Sequence, residues 1–243
     1  MAIDDRLEKI RNIFREGGDP YLGSALQVAG LTGPAFKLLS IVQSFFSTTE
    51  REHKALVAIL ALCDELEQFR THWPPDWEAF SQASWFKKAT ATLMEESVRS
   101  VDDERARLLA RVMAHGCFPS QEDQHRQEDL ASYISDLANL GTDDVQMLKM
   151  LGTSYKEVSK HSPNLHDPNH FTHHYATFMN EADKLKIHPD DRLAIGARLT
   201  GFGLALESPT QSDIGQIFYR PTRRGFYLLS LLEAAELPVQ KQN

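Results

Sequence analysis

Apolar positions recur along most of this chain at α-helical spacing. Trp77, Phe80, Phe86, Ala89, Leu93 and Val98 form one such set, and Leu108, Leu109, Val112, Met113 and Cys117 form the next. Leu130, Tyr133, Ile134 and Leu137 follow, then Leu148, Leu151, Tyr155 and Val158. Each set draws one apolar stripe on a helix that is charged elsewhere, which is the pattern of a helix with one face against a core.

Start and stop signals agree with the stripes. Thr49 with Glu52, Ser100 with Asp103, and Ser120 with Asp123 each pair a short side chain with an acid three residues later. Such a pair takes up backbone N–H groups that the first helical turn leaves without partners. In His188-Pro189-Asp190-Asp191, the proline suits the first helical position and the acids suit the positive helix end. Pro74-Pro75 separates two helices, and residues 116–119 end another.

Two regions depart from this pattern. Residues 21–46 are apolar nearly all round, carry the single charge Lys37, and are broken by Gly30, Gly33 and Pro34. They read as two short helices that form either a buried hairpin or an exposed contact with a second copy or a membrane surface. Phe36, Leu39, Val42 and Phe46 would make that contact. Neither half reaches the roughly 20 apolar residues of a spanning helix, so integral membrane insertion is not expected.

The last third changes character. A helix over 189–200 leads to Gly201-Phe202-Gly203, then Leu204-Ala205-Leu206-Glu207, a polar turn-rich stretch, and an apolar run over 214–220. This predicts a β-hairpin with a long loop. Arg223–Glu236 then reads as a closing helix. Helix, glycine turn, hairpin and helix is the order of a winged helix, with a helix over 143–158 as its first member. The expected fold is mainly all-α. Residues 1–120 form a helical bundle, and residues 121–243 form a helical plus winged-helix-like unit with one short hairpin.

Composition narrows the function classes. The formal charge of −8 argues against a generic nucleic-acid coat, though not against a local basic patch. Cys63 and Cys117 lie in apolar runs, and no Cys-x-x-Cys pair exists. They read as buried thiols in a reducing compartment, hence a cytoplasmic protein. Asp4, Asp5 and Glu8, which accompany a helical apolar stripe of Leu7, Ile10, Ile13 and Phe14, are unlike the basic start and unbroken apolar run of a signal peptide.

Two stretches carry a resemblance. Asp102-Asp103-Glu104-Arg105-Ala106-Arg107-Leu108-Leu109-Ala110-Arg111-Val112-Met113-Ala114 resembles a helix of uncharacterised bacterial helical proteins. The run over 199–206, with Phe218-Tyr219-Arg220-Pro221-Thr222-Arg223-Arg224-Gly225-Phe226-Tyr227-Leu228-Leu229, is similar to the end of many winged-helix modules. It departs from them in Arg224, where small residues are usual, and in a long polar insert between the strands. Together the two resemble the Abi-alpha group of bacterial abortive-infection-like proteins, over about two fifths of the chain. The resemblance implies a bacterial cytosolic origin and a phage-defence context. It transfers no active site.

Three clusters offer chemistry. His161, His166, Asp167, His170, His173 and His174 form a histidine-rich stretch, and His170 and His174 would stand one helical turn apart. Imidazoles and a carboxylate in such a stretch suit zinc, nickel or iron, yet Pro163 and Pro168 mark a loop and no His-Glu-x-x-His pattern occurs. No metal is therefore assigned. If one binds, His166, His170 and His174 are its ligands. Arg220, Arg223 and Arg224, with Arg198 before them, form a basic cluster that suits a nucleic-acid phosphate or a protein partner. Asp190 and Asp191 at the start of the recognition-position helix oppose the nucleic-acid reading. Asp102, Asp103 and Glu104 occupy a first helical turn, where the dipole favours acids without any cation. Glu95-Glu96 reads as a solvated face.

No Gly-x-Ser-x-Gly elbow, phosphate loop or Gly-x-Gly-x-x-Gly occurs, so no catalytic residue and no cofactor is assigned. The leading expectation is a non-enzymatic interaction protein that contacts a protein partner or a second copy. A DNA-binding transcription regulator with a helical sensor part is the alternative. A metal-dependent hydrolase using residues 161–174 is weaker.

Overall fold

The computed structural model describes residues 49–69, 77–161, 187–209 and 217–236. These residues hold eight α-helices, one 3-10 segment and a two-stranded antiparallel hairpin, so the fold is mainly all-α. They fall into two compact units that divide between Ala138 and Asn139. The sequence reading put the division at 120. Residues 121–138 group with the N-terminal unit because Leu130 packs on Gly116 and the Leu137 carbonyl accepts from Arg105.

The first unit contains α1 (Thr49–Gln68), α2 (Trp77–Gln82), α3 (Ser84–Arg99), α4 (Asp103–Cys117), a 3-10 segment (Gln121–Gln127) and α5 (Leu130–Asn139). Helices α1 and α4 run parallel. His53 meets Asp103 at their starts, and Phe69 meets His115 and Phe118 at their ends. Helix α3 runs the opposite way. Its first turn sits beside Phe80, which stacks on Phe118, and the Ser100 carbonyl beyond its end accepts from Lys54. Helix α5 is antiparallel to α4.

Residues 55–63 of α1 are buried on every face. A helix apolar all round belongs in the middle of a core, and α1 fills that place between α3 and α4. No described helix is long and apolar enough to cross a membrane.

The aromatic stripe that begins at Trp77 breaks at Ala83, whose backbone is extended (ψ 137°). Phe80, Trp85 and Phe86 cluster at that joint with centroid separations of 5.1–5.6 Å. Trp85 is thus an anchor of a helix corner.

The caps differ from expectation in two places. Helix α4 is capped by Asp102, whose carboxylate accepts from the Arg105 N–H at 2.8 Å. Ser100 closes α3 instead, donating to the Ser97 carbonyl at 2.6 Å. Two residues are needed there to reverse the chain, and that places Asp102 within reach of the new first turn. Ser120 does precede its segment, but its hydroxyl bonds the Asp123 carboxylate and no backbone N–H. The side chains of Thr49 and Glu52 lie outside the described residues.

The solvated-face reading of Glu95-Glu96 holds only for Glu95. Glu96 is buried and accepts from the Ser135 hydroxyl at 3.0 Å, because α5 packs across that face of α3.

The second unit contains α6 (Thr142–His161), α7 (Pro189–Gly201), β1 (Ala205–Pro209), β2 (Ile217–Pro221) and α8 (Arg223–Glu236). Pro189 opens α7, as its fixed φ favours. Helices α6 and α8 pack antiparallel, with Lys149 paired to Glu236, Lys156 to Glu233, and Tyr155 edge-on to Phe226. Leu148 and Leu151 of α6 and Leu228, Leu229 and Leu232 of α8 are buried in this unit.

Candidate functional site

The turn from α7 into the hairpin is fixed by backbone bonds. Leu204 N–H bonds the Leu199 carbonyl and Gly203 N–H bonds the Thr200 carbonyl, each at 2.9 Å. That double closure needs a left-handed residue after the helix, and Gly203 supplies it with φ 67°. Thr222 then locks the start of α8 onto this turn. Its hydroxyl donates to the Gly203 carbonyl at 2.7 Å and accepts from Gly225 N–H at 2.9 Å. The backbones are so close that a β-carbon on residue 225 would stand 2.1 Å from the Leu204 carbonyl oxygen.

The hairpin pairs Ala205 with Pro221, Leu206 with Arg220, and Glu207 with Tyr219. Side chains alternate between faces along a strand. Ala205, Tyr219 and Pro221 face inward and are buried, with the Tyr219 ring against Gly196 of α7. Burial, and secondarily the Glu207 charge, pushes the Tyr219 phenol pKa up. The opposite face carries Leu206, 46% exposed, directly across from the half-buried Arg220. Arg223 is exposed at the start of α8, and the stem of Arg224 lies over Gly203. Arg220 and Arg223 make no ion pair among the described residues. The first turn of α8 contains no acid, although the helix dipole disfavours cations there.

Helix α7 is different. Arg192 is buried and donates from Nε to the Ile187 carbonyl at 2.9 Å. Arg198 is held by Asp144, with Nη2 at 2.6 Å and Nε at 3.0 Å from Oδ1. Asp144 is 2% exposed, and its Oδ2 also accepts from Gly141 N–H at 2.8 Å. One carboxylate therefore caps α6 and anchors the far end of α7. The bond to Asp144 is the main cause that raises the Arg198 pKa. Asp191 and Leu193 are exposed on the same helix.

Of the expected basic cluster, the structure brings Arg220, Arg223 and Arg224 to the hairpin and α8 start, and assigns Arg198 to Asp144. Asp144 did not stand out in the sequence. Its signal is modest: an acid three residues after Gly141, where a helix begins. Asp102, Asp103 and Glu104 have protein partners in the Arg105 N–H, in His53, and in Arg107 with Arg111. Among the described residues, no three His, Cys, Asp or Glu come together as a metal site. His166, His170 and His174 lie outside the described residues, as do Phe36, Leu39, Val42 and Phe46. Cys63 and Cys117 are buried thiols, and burial pushes the Cys117 pKa far up, so it is a poor nucleophile.

Compared with known proteins, the chain matches no family model, no curated protein and no solved structure.

Proposed function

We propose that this chain is a cytoplasmic bacterial interaction protein of the Abi-alpha-like kind, working in phage defence, whose winged-helix-like C-terminal unit contacts a protein. The observation that carries this reading is the grip of buried Asp144 on Arg198. In a DNA-reading winged helix, the helix before the wing offers its cations and donors to phosphates and base edges. Here one arginine of α7 is bonded to the Ile187 carbonyl just before the helix and the other is given to a carboxylate, while Asp191 faces solvent. The remaining arginines sit beside an exposed leucine, and that mixture of cation and apolar surface suits a protein contact.

A mobility shift with duplex DNA at low salt tests the reading. No shift is expected. A shift that disappears when Arg220, Arg223 and Arg224 are all changed to alanine would overturn it in favour of DNA binding.

A further inference from the structure

We infer that the outer face of the β1–β2 hairpin docks the α3–α4 corner of a second copy of this chain, an inference that rests on the protein-contact reading of that face. The corner is Ser100-Val101-Asp102. Val101 is 93% exposed, the highest exposure of any large apolar side chain among the described residues. Its backbone is held rather than loose. The Ser100 hydroxyl bonds the Ser97 carbonyl, the Ser100 carbonyl accepts from Lys54, and Asp102 caps α4. A rigid corner pays little ordering entropy on binding, so an apolar knob on it is well placed as an anchor.

Around that knob three acids outnumber the two cations Arg99 and Lys54. Asp102 and Asp103 follow it directly, and the Glu104 side chain is 67% exposed. The hairpin face is its electrostatic counterpart. Leu206 is the exposed apolar side chain there, with Arg220 across the ladder and Arg223 and Arg224 at the start of α8. Each patch is apolar at its centre, with acids the more numerous beside Val101, where Arg99 and Lys54 also lie, and cations the more numerous beside Leu206, where Glu207 is exposed. Almost all of the chain's net charge of −8 falls on residues 1–138, so the cationic hairpin meets a field that attracts it on another copy. The two patches differ, so the contact either closes, as a dimer that makes it twice or as a larger ring, or extends head to tail.

Sedimentation velocity of the full chain, from micromolar to hundred-micromolar concentration, provides the test. Two variants are needed, one with Arg220→Glu and Arg223→Glu, the other with Val101→Lys and Glu104→Lys. All four positions are at least partly solvent-accessible, and a thermal melt confirms that each variant folds. Wild type is expected to gain mass with concentration and to lose that gain at high salt, since rim charges are screened. Each variant alone is expected to stay monomeric. Mixed one to one, the two are expected to associate again, because each then meets a partner of opposite sign. A wild type that stays monomeric throughout overturns the inference. So does association that survives either pair of changes, or a mixture that remains monomeric. The protein-contact reading itself fails only through the DNA shift described above, so the two failures are distinguishable.

Discussion

The buried Asp144 carboxylate takes two guanidinium nitrogens of Arg198 on one oxygen and the Gly141 N–H on the other. Removing the arginine would leave a carboxylate at 2% exposure without its counter-charge. A buried charge that loses its partner is far costlier than the pair is favourable. Arg198 is itself 50% exposed, so water reaches the site and moderates the loss. Arg198→Met is expected to lower stability by about 1–3 kcal/mol in urea denaturation. Arg220→Met, at a position with no such partner, should change it by less than about 0.5 kcal/mol.

The close approach of α8 to the α7 turn gives a sharper expectation. A β-carbon at residue 225 meets a backbone oxygen, which cannot rotate away as a side chain can. Gly225→Ala is expected to cost about 2 kcal/mol or more, as overpacking against fixed atoms does. Thr222→Val keeps the shape but removes both hydroxyl bonds, and should cost about 1–2 kcal/mol. Gly141→Ala, whose added carbon meets only the Asp144 side chain at 3.4 Å, is the control and should be much milder. Thermal melts of the three variants check this order.

The periodic helices were legible because each buries one stripe, and the stripe is written in the local sequence. Leu130, Tyr133, Ile134 and Leu137 all end in the core. The hairpin was legible from its turn residues and its β-branched and aromatic strand. Long-range partnerships were not. Nothing near Glu96 announces that α5 will cover it, and nothing near Arg198 announces Asp144, which lies 54 residues earlier. The division of the structure after Ala138 rests on the same long-range packing. A turn-rich stretch marks a change of direction, whereas a boundary depends on which helices later pack together.

Cys117 gives a chemical check on the packing of α4. Its thiol is 1% exposed and its pKa is pushed far up by burial. The thiolate is the reacting species, so alkylation needs both deprotonation and access. Under native conditions at mildly alkaline pH, Cys117 is expected to resist iodoacetamide, and to react fully once denaturant is added. Peptide mass spectrometry reads the two states. Rapid native modification at Cys117 would mean that α4 opens far more readily than its burial implies.

Two groups in the first unit should tilt stability with pH in opposite directions. His115 lies edge-on to Phe69 at 5.0 Å, and desolvation lowers its pKa below the ordinary 6.5. The folded state then binds the proton less well than the unfolded state. Its contribution is full above pH 6.5 and is lost as pH falls through the lowered folded value. Glu65 is the reverse case. Desolvation raises its pKa above 4.5, although Arg111 offsets part of the rise. The folded state binds that proton better, so its contribution is full below pH 4.5 and is lost as pH rises through the raised value. Both groups are partly solvated, so each effect should stay below about 1 kcal/mol. His115→Phe is expected to flatten the stability profile just below pH 6.5 while leaving neutral pH nearly unchanged. Glu65→Gln is expected to raise stability at neutral pH, with the gain vanishing in acid. Urea midpoints measured from pH 4 to pH 8 separate the two, because a slope of the wrong sign in either variant would place that side chain in water and not against the α1–α4 core.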